Sequence, residues 1–203
     1  MILADLHMHT IHSYDSSITP KNIVECLVKH NNVKVAAVTD HDTIKGLKET
    51  IKLASAYSDI RILPGVEIST TKGDILVLGT TELPEHPWTI DNVIDFTNSI
   101  GAVSIVAHPY RDYGMGDMAR GHKFDAIEII NGETTPAANK MAQKLAKDMK
   151  IPGIAGSDAH TPSEICNIYT QVEASLDIEE ILRSIKKGLV SIPSKIRSCQ
   201  IKK

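Results

Sequence analysis

The chain has 203 residues, 42% of them hydrophobic and 23% charged, with a formal net charge of −3. That length suits one well-sized core or two small ones, and the charge argues against a global basic field for nucleic acid. Cys26, Cys166 and Cys199 are odd in number and far apart, which excludes a disulfide framework or a CxxC zinc site and points to a reducing, cytoplasmic setting; no run approaches the roughly eighteen apolar residues of a membrane span, and no secretion signal opens the chain.

In chain order, "ILADL" (2–6) reads as a short strand. Thr19 then caps a helix with Pro20 in its first position, and Ile23, Leu27 and Val28 share one face of it. "VKVAAVT" is a buried strand, and residues 43–56 form a second helix. "IRILPGVEIS" and "DILVLGT" are strands, and "TIDNVIDFTNSI" is a helix stopped by Gly101. "AVSIVAH" and "FDAIEIIN" are strands, and residues 135–149 form a helix. "IPGIAGS" and "NIYTQVE" follow as strands, and "DIEEILRSIKKG" is a last helix ending at Gly188. Residues 194–203 look like a basic tail behind one domain over 1–193. Strands alternating with helices imply parallel βαβ units. About seven such units in a chain of this length fit a small barrel better than an open sheet.

The polar clusters fall where those strands end. "HMH" follows the first, "TDHD" the second, "AHP" and "GSDAH" later ones, and "GVE" lies toward the end of the third. In parallel barrels these ends converge on the face that carries active sites. His7 and His9, two apart on an extended segment, point the same way and can share one cation. Alone that pair is a weak signal. Asp40, His41, Glu67, His108, Asp158 and His160 at other strand ends make it a metal centre. Imidazoles with carboxylates and no cysteine suit zinc, manganese or iron. The donors outnumber the needs of one tetrahedral ion, so two or three divalent ions are expected. Closely spaced ions activate water as hydroxide and clamp the attacking and leaving oxygens of a displacement at phosphorus. Arg111, three residues after His108, is the expected cationic fork for a phosphate. Arg120 and Asn131 are further substrate-binding candidates. The glycine-rich loop around Arg120 is either a substrate loop or plain surface.

"DLHMHT…S.D", "TDHDT", "GVEIS", "AHPYR", "EIINGE" and "GSDAHTPSEI", over residues 5–165, resemble in order the motifs of the PHP (polymerase and histidinol phosphatase) family. The resemblance implies an α/β fold, a distorted (β/α)7 TIM-like barrel, and a two- or three-metal phosphoesterase centre. It places His7, His9, Glu67 and Asp158 on a first ion. Glu67 bridges to a second ion held also by His108, while Asp15, His41 and His160 bind a third. Asp158, His160 and Glu67 carry catalysis in this reading. Asp40 orients His41 from behind, and Asp5 does the same for the HxH pair. Many relatives have a further histidine or acid after the Glu67 motif; here "TTKGDILVLGTTE" offers only Asp74 or Glu82.

The expected reaction is therefore hydrolysis of a phosphate ester of a small molecule, a nucleotide-like phosphomonoester preferred. A histidinol-phosphate-type phosphatase and a nuclease or exonuclease remain open, the nuclease disfavoured by the charge and by 4% aromatic residues. A C–N amidohydrolase is less favoured because Glu67 stands where such barrels often carry a carboxylated lysine. A non-catalytic binding module is disfavoured because the ligand set is nearly complete. The expected partner is a small phosphorylated substrate, with no membrane and an open oligomeric state. His12, His30 and His86 read as surface or structural, Trp88 as packing on the helix after it, and Cys166 as a small core residue.

Overall fold

The computed structural model describes residues 1–193; the tail expected at 194–203 lies outside them. Nine strands form one mixed sheet: β1 (Ile2–Asp5), β2 (Val33–Val38), β3 (Arg61–Thr70), β4 (Gly73–Leu78), β5 (Val103–Val106), β6 (Ala126–Asn131), β7 (Gly153–Gly156), β8 (Thr170–Val172) and β9 (Val190–Ser191). Their order is β7-β6-β5-β4-β3-β2-β1-β8-β9. The sheet curls until its β7 side meets the end of β1. There the Asp158 N–H donates to His7 O (2.8 Å) and the His9 N–H to Ala159 O (3.0 Å). That seam makes a nearly closed α/β barrel.

The barrel interior follows from the two-residue period of a strand. In β2, Val35 and Ala37 face inward and pack with Ala4, Leu63, Leu76, Ile105 and Ile154. Ala36 and Val38, joined by Val33 because the β1–β2 register shifts between Leu3 and Ala4, face outward against Ile23, Leu27 and Leu47. Those last three lie on α1 (Pro20–Lys29) and α2 (Lys45–Ala54). On the other flank α3 (Ile90–Ser99) and α4 (Pro136–Met149) cover Val66, Ile75, Val106 and Ile127. Each fully buried Leu or Ile contributes about 1.5–3 kcal/mol. The last helix, α5 (Ile178–Lys186), sends Ile181 and Ile185 into the inward-facing set. The expected cap of α1 is present: Thr19 Oγ1 accepts from the Asn22 N–H, and Asn22 returns the bond to the Thr19 N–H.

Every expected strand and helix is present within a few residues at its ends; β9 was not expected. The expectation of purely parallel units is corrected in two places. β4 runs antiparallel to both β3 and β5, and β8 antiparallel to β1. The physical reason is the tight "TTKGD" turn, with Gly73 at φ +117°, which leaves no room for a crossover helix between β3 and β4. This reversal matters for the site. β4 starts, rather than ends, on the face where β3 finishes. Asp74 is therefore carried to that face and pairs with Ser69. Glu82, beyond the other end of β4, is exposed.

Candidate metal centre

Local backbone explains how the side chains converge. Met8 is buried in the outer core, so His7 and His9 on either side of it turn together to the opposite face. Asp158 sits at φ 53°, a left-handed conformation that Asp tolerates better than most residues. Beyond β2, the Glu67 N–H donates to Asp40 O (3.2 Å) and the Asp42 N–H to Glu67 O (2.8 Å), which sets His41 beside Glu67.

Four ligand atoms form one compact group. His7 Nε2 lies 3.1 Å from His9 Nε2, 3.1 Å from Glu67 Oε2 and 3.3 Å from Asp158 Oδ1. His9 Nε2 lies 3.3 Å from Glu67 Oε2 and 3.1 Å from Asp158 Oδ1. Neighbouring donors about 2.0–2.1 Å from one ion stand roughly 3.3 Å apart, and each separation given above is of that size. A cation placed between the two facing Nε2 atoms would satisfy both lone pairs at once. The donors of this set could hold a metal ion.

Two further groups adjoin it. Glu67 Oε1 lies 3.0 Å from His108 Nε2, and Asp74 comes within ligand spacing of both. Asp15 Oδ2 lies 3.4 Å from His41 Nε2 and 3.3 Å from His160 Nε2. The Nδ1 atoms of His41 and His108 are buried without a hydrogen-bond partner.

The surroundings fix which ring nitrogens face the centre. His7 Nδ1 is 3.0 Å from Glu128 Oε1; a carboxylate accepts, so Nδ1 carries the proton and the Nε2 lone pair points inward. Ser13 Oγ donates to Asp40 Oδ1 (3.0 Å), and its lone pair is left for His9 Nδ1 (3.1 Å). His160 Nδ1 donates to Asp158 O (2.7 Å), which again turns Nε2 inward. Glu128 and Ser13, both buried, were missed in the sequence. An acid inside the apolar strand "AIEIIN" was a usable signal for the first; nothing distinguished Ser13 from its neighbouring serines.

Expected supporting roles change accordingly. Asp40 does not touch the His41 ring: it binds Thr10 through N and Oγ1 and reaches His9 through Ser13. Asp5 does not orient the HxH imidazoles either. Its carboxylate accepts from the N–H groups of Ser157 and Cys166 (both 2.9 Å), tying β1 to the segment after β7. Burial pushes the Asp5 carboxyl up to about 7 against those donors. Arg111 does reach the centre, with Nη1 2.7 Å from Asp158 Oδ2. Asn131 Nδ2 donates to the same oxygen and to Glu128 Oε2, each at 3.0 Å. Arg120 is not brought there. It pairs with Asp117 and Asp148, and Asp148 lies near the end of α4, which runs away from the site. His122 pairs with Asp91 on the same outer flank. Trp88 packs beside α3 and stacks on His86, as Cys166 packs in the core.

The electrostatics are those of a cation pocket. Burial opposes charge on His7, yet Asp158, Glu128 and Glu67 hold its imidazole well above the usual range. His9 is pushed up to about 9 the same way, burial being outweighed by its bonds to Asp158 and Glu67. Conversely burial would raise Glu67 and Asp158, but the facing imidazoles hold both well below their ordinary values. Asp74 is raised by burial and by the Glu67 charge.

Comparisons with known proteins agree with this architecture. A family profile described as PHP-associated matches residues 136–190. An uncharacterised protein of Methanocaldococcus jannaschii is 32% identical over 140 residues, covering 63% of this chain and 81% of that protein. A two-domain protein of Bacteroides vulgatus, containing a predicted PHP-like metal-dependent phosphoesterase, superposes with a TM-score of 0.75 at 18% identity. The match covers 93% of this chain, which spans 63% of the Bacteroides protein. An amidohydrolase from Chromobacterium violaceum, solved with sulfate and no metal, superposes with a TM-score of 0.67 at 18% identity over 94% of this chain and 98% of that one. Among the described residues no helix is long and apolar enough to cross a membrane.

Proposed function

The chain belongs to the PHP family of metal-dependent phosphoesterases, and from that premise we propose that it hydrolyses a small phosphomonoester. The observation that carries this is the close approach of Glu67 Oε2 and Asp158 Oδ1 to the paired Nε2 atoms of His7 and His9, with Glu67 Oε1 left to reach His108. In this reading those four hold a first ion. Glu67, His108 and Asp74 hold a second, Asp74 supplying the acid that the sequence left open between it and Glu82. Asp15, His41 and His160 hold a third. When bound, such ions supply Lewis acidity and make water nucleophilic near neutral pH. The native ions are of the zinc, manganese or iron class.

The chain's own residues do the rest. Glu128, Ser13 and the Asp158 carbonyl keep Nδ1 of His7, His9 and His160 protonated, so each offers Nε2. Asn131 and Arg111 occupy Asp158 Oδ2 and leave Oδ1 to the centre. Arg111 is 40% exposed, so its remaining N–H groups face the mouth and can fork a phosphate. With Nδ1 bound to the Asp158 carbonyl and Nε2 turned toward Asp15, His160 would serve as a ligand of the third ion. The formal charge of −3 supports a small substrate over a polymer.

The test is hydrolysis of an aryl phosphomonoester and the matching phosphodiester by metal-stripped protein with manganese, zinc or iron restored. Metal-dependent monoester turnover, lost in Asp158→Ala, is expected. Preference for the diester would favour a nuclease. Turnover confined to an N-acyl amide in the same panel would favour the C–N chemistry named for the Chromobacterium neighbour.

A further inference from the structure

The rings around the centre form a column. His160 stacks on His9 (centroids 4.3 Å apart, planes at 25°), His9 on His41 (4.4 Å, 28°), and His41 on Tyr14 (5.4 Å, 24°). The first three rings are tied into the centre by Asp158, Asp15 and Glu67. The fourth is not. Tyr14 is 89% exposed, and its only ring contact among the described residues is His41. The Asp15 charge, followed by partial burial and the charges of Asp74 and Glu67, raises its hydroxyl, while Arg111 acts the other way. Lone exposed aromatics are ordinary on protein surfaces. This one differs because His41, an imidazole of the candidate ligand set, stacks on it and fixes its plane beside the centre.

We propose that Tyr14 is a stacking platform that selects phosphomonoesters with a planar heteroaromatic group, such as a nucleobase, on the alcohol side. The inference rests on the phosphoesterase reading and narrows its substrate class. With phosphate beside Arg111 and the ions, a sugar bridges to a ring laid on the open side of Tyr14. Stacking tolerates any base, because each has a π-face, and removing one such platform weakens binding by roughly five- to a hundredfold. Arg111 supplies the matching cationic grip at the phosphate end.

Two readouts separate this inference from the reading beneath it. The first is calorimetric binding of non-hydrolysable phosphonate analogues of adenosine monophosphate and of glycerol phosphate to manganese-loaded protein. The adenosine analogue is expected to bind at least about tenfold more tightly. Tyr14→Ala should remove most of that advantage while leaving glycerol-analogue affinity and metal content unchanged. Tyr14→Phe, which keeps the ring, should retain it. Equal affinity for the two analogues in the parent protein, an advantage that survives Tyr14→Ala, or an equal loss for both ligands overturns the platform. Loss of the advantage in Tyr14→Phe as well would assign the role to the hydroxyl and also overturns it. The second readout is turnover of the two natural phosphates. Absence of turnover, with the adenosine advantage intact, refutes the hydrolase and not the platform.

Discussion

Glu128 offers the sharpest test of how the centre is built. Its Oε1 holds His7 Nδ1 at 3.0 Å, and its Oε2 accepts from the His108 N–H and from Asn131 Nδ2, both at 3.0 Å. Glu128→Gln keeps the shape and replaces one oxygen by a donor. If the amide oxygen stays with His108 and Asn131, the new NH2 faces His7 Nδ1. That nitrogen must then accept, the imidazole proton moves to Nε2, and His7 no longer offers a lone pair to the ion. If the amide turns round, His7 keeps its tautomer but two buried donors lose their acceptor, at about 1–3 kcal/mol each. Both arrangements weaken the site. A partner of this type is worth about 10–100-fold in metal affinity, or about 1.4–2.7 kcal/mol. Competition against a chromogenic chelator for zinc should show the tightest equivalent weakened by that factor in Glu128→Gln. Affinity within about twofold of the parent, at full stoichiometry, would refute the claim that Glu128 sets the His7 tautomer.

Four shorter expectations follow. A Cβ on Gly156 would lie 2.5 Å from His7 Cβ and 2.9 Å from Glu128 Oε1, so Gly156→Ala should lose about 1–3 kcal/mol in urea unfolding and bind metal more weakly; an unchanged midpoint would contradict the close approach. Arg111→Ala should raise the inhibition constant of inorganic phosphate severalfold with metal content retained, and Arg120→Ala should leave it unchanged, because Arg120 is held by Asp117 and Asp148. In the metal-stripped protein the native state keeps protons on His9, pushed from 6.5 up to about 9, and on the raised His7, while the unfolded chain releases them; stability should therefore fall as pH rises from about 6.5 to 9, and also on acidification below about 4.5, where unfolded Glu67 and Asp158 take up protons that the folded state refuses. A urea midpoint that rises between pH 6.5 and 9 would contradict the first half. Stripping the metal should speed hydrogen exchange at His9 and Asp158, whose N–H groups close the β1–β7 seam, more than at the β3–β4 hairpin; equal protection in both forms would separate the seam from the ion.

The candidate ligand set was legible because metal ligation calls for particular side chains at strand ends, and "HMH", "TDHD", "GVE", "AHP" and "GSDAH" supply them in order. The βα alternation then predicted that they share a face. What was not legible is what depends on direction and on partners outside the motifs. Nothing in "TTKGDILVLGTTE" states that β4 runs backward, yet that alone decides that Asp74 rather than Glu82 reaches Glu67 and His108. Arg120 looked like a phosphate ligand by residue type, but α4 lies within its reach and offers Asp148. Asp5 and Asp40 were expected to orient rings, and both instead hold backbone or hydroxyl groups. A carboxylate one or two residues before an imidazole says nothing about which donor the folded chain will bring to it.

The seam joins these observations. Barrel closure rests on backbone bonds between the segments after β1 and β7, and those segments carry His7, His9, Asp158 and His160. Asp5 fastens the same two segments from beneath through Ser157 and Cys166. Glu128 binds His7 from β6 and the His108 backbone beyond β5, so the wall adjoining the seam is tied in as well. An ion between His7, His9, Glu67 and Asp158 would therefore cross-link β1, β3 and β7 at the place where the sheet must close. Binding there is coupled to folding because the unfolded chain has no preformed site. The same coupling explains why so many charged and polar groups are tolerated in a core. Glu67, Glu128 and Asp158 each face an imidazole, and each ligating imidazole with a partner on Nδ1 presents Nε2. Burial that would be costly for any one of these groups is offset only when the whole set is assembled around positive charge.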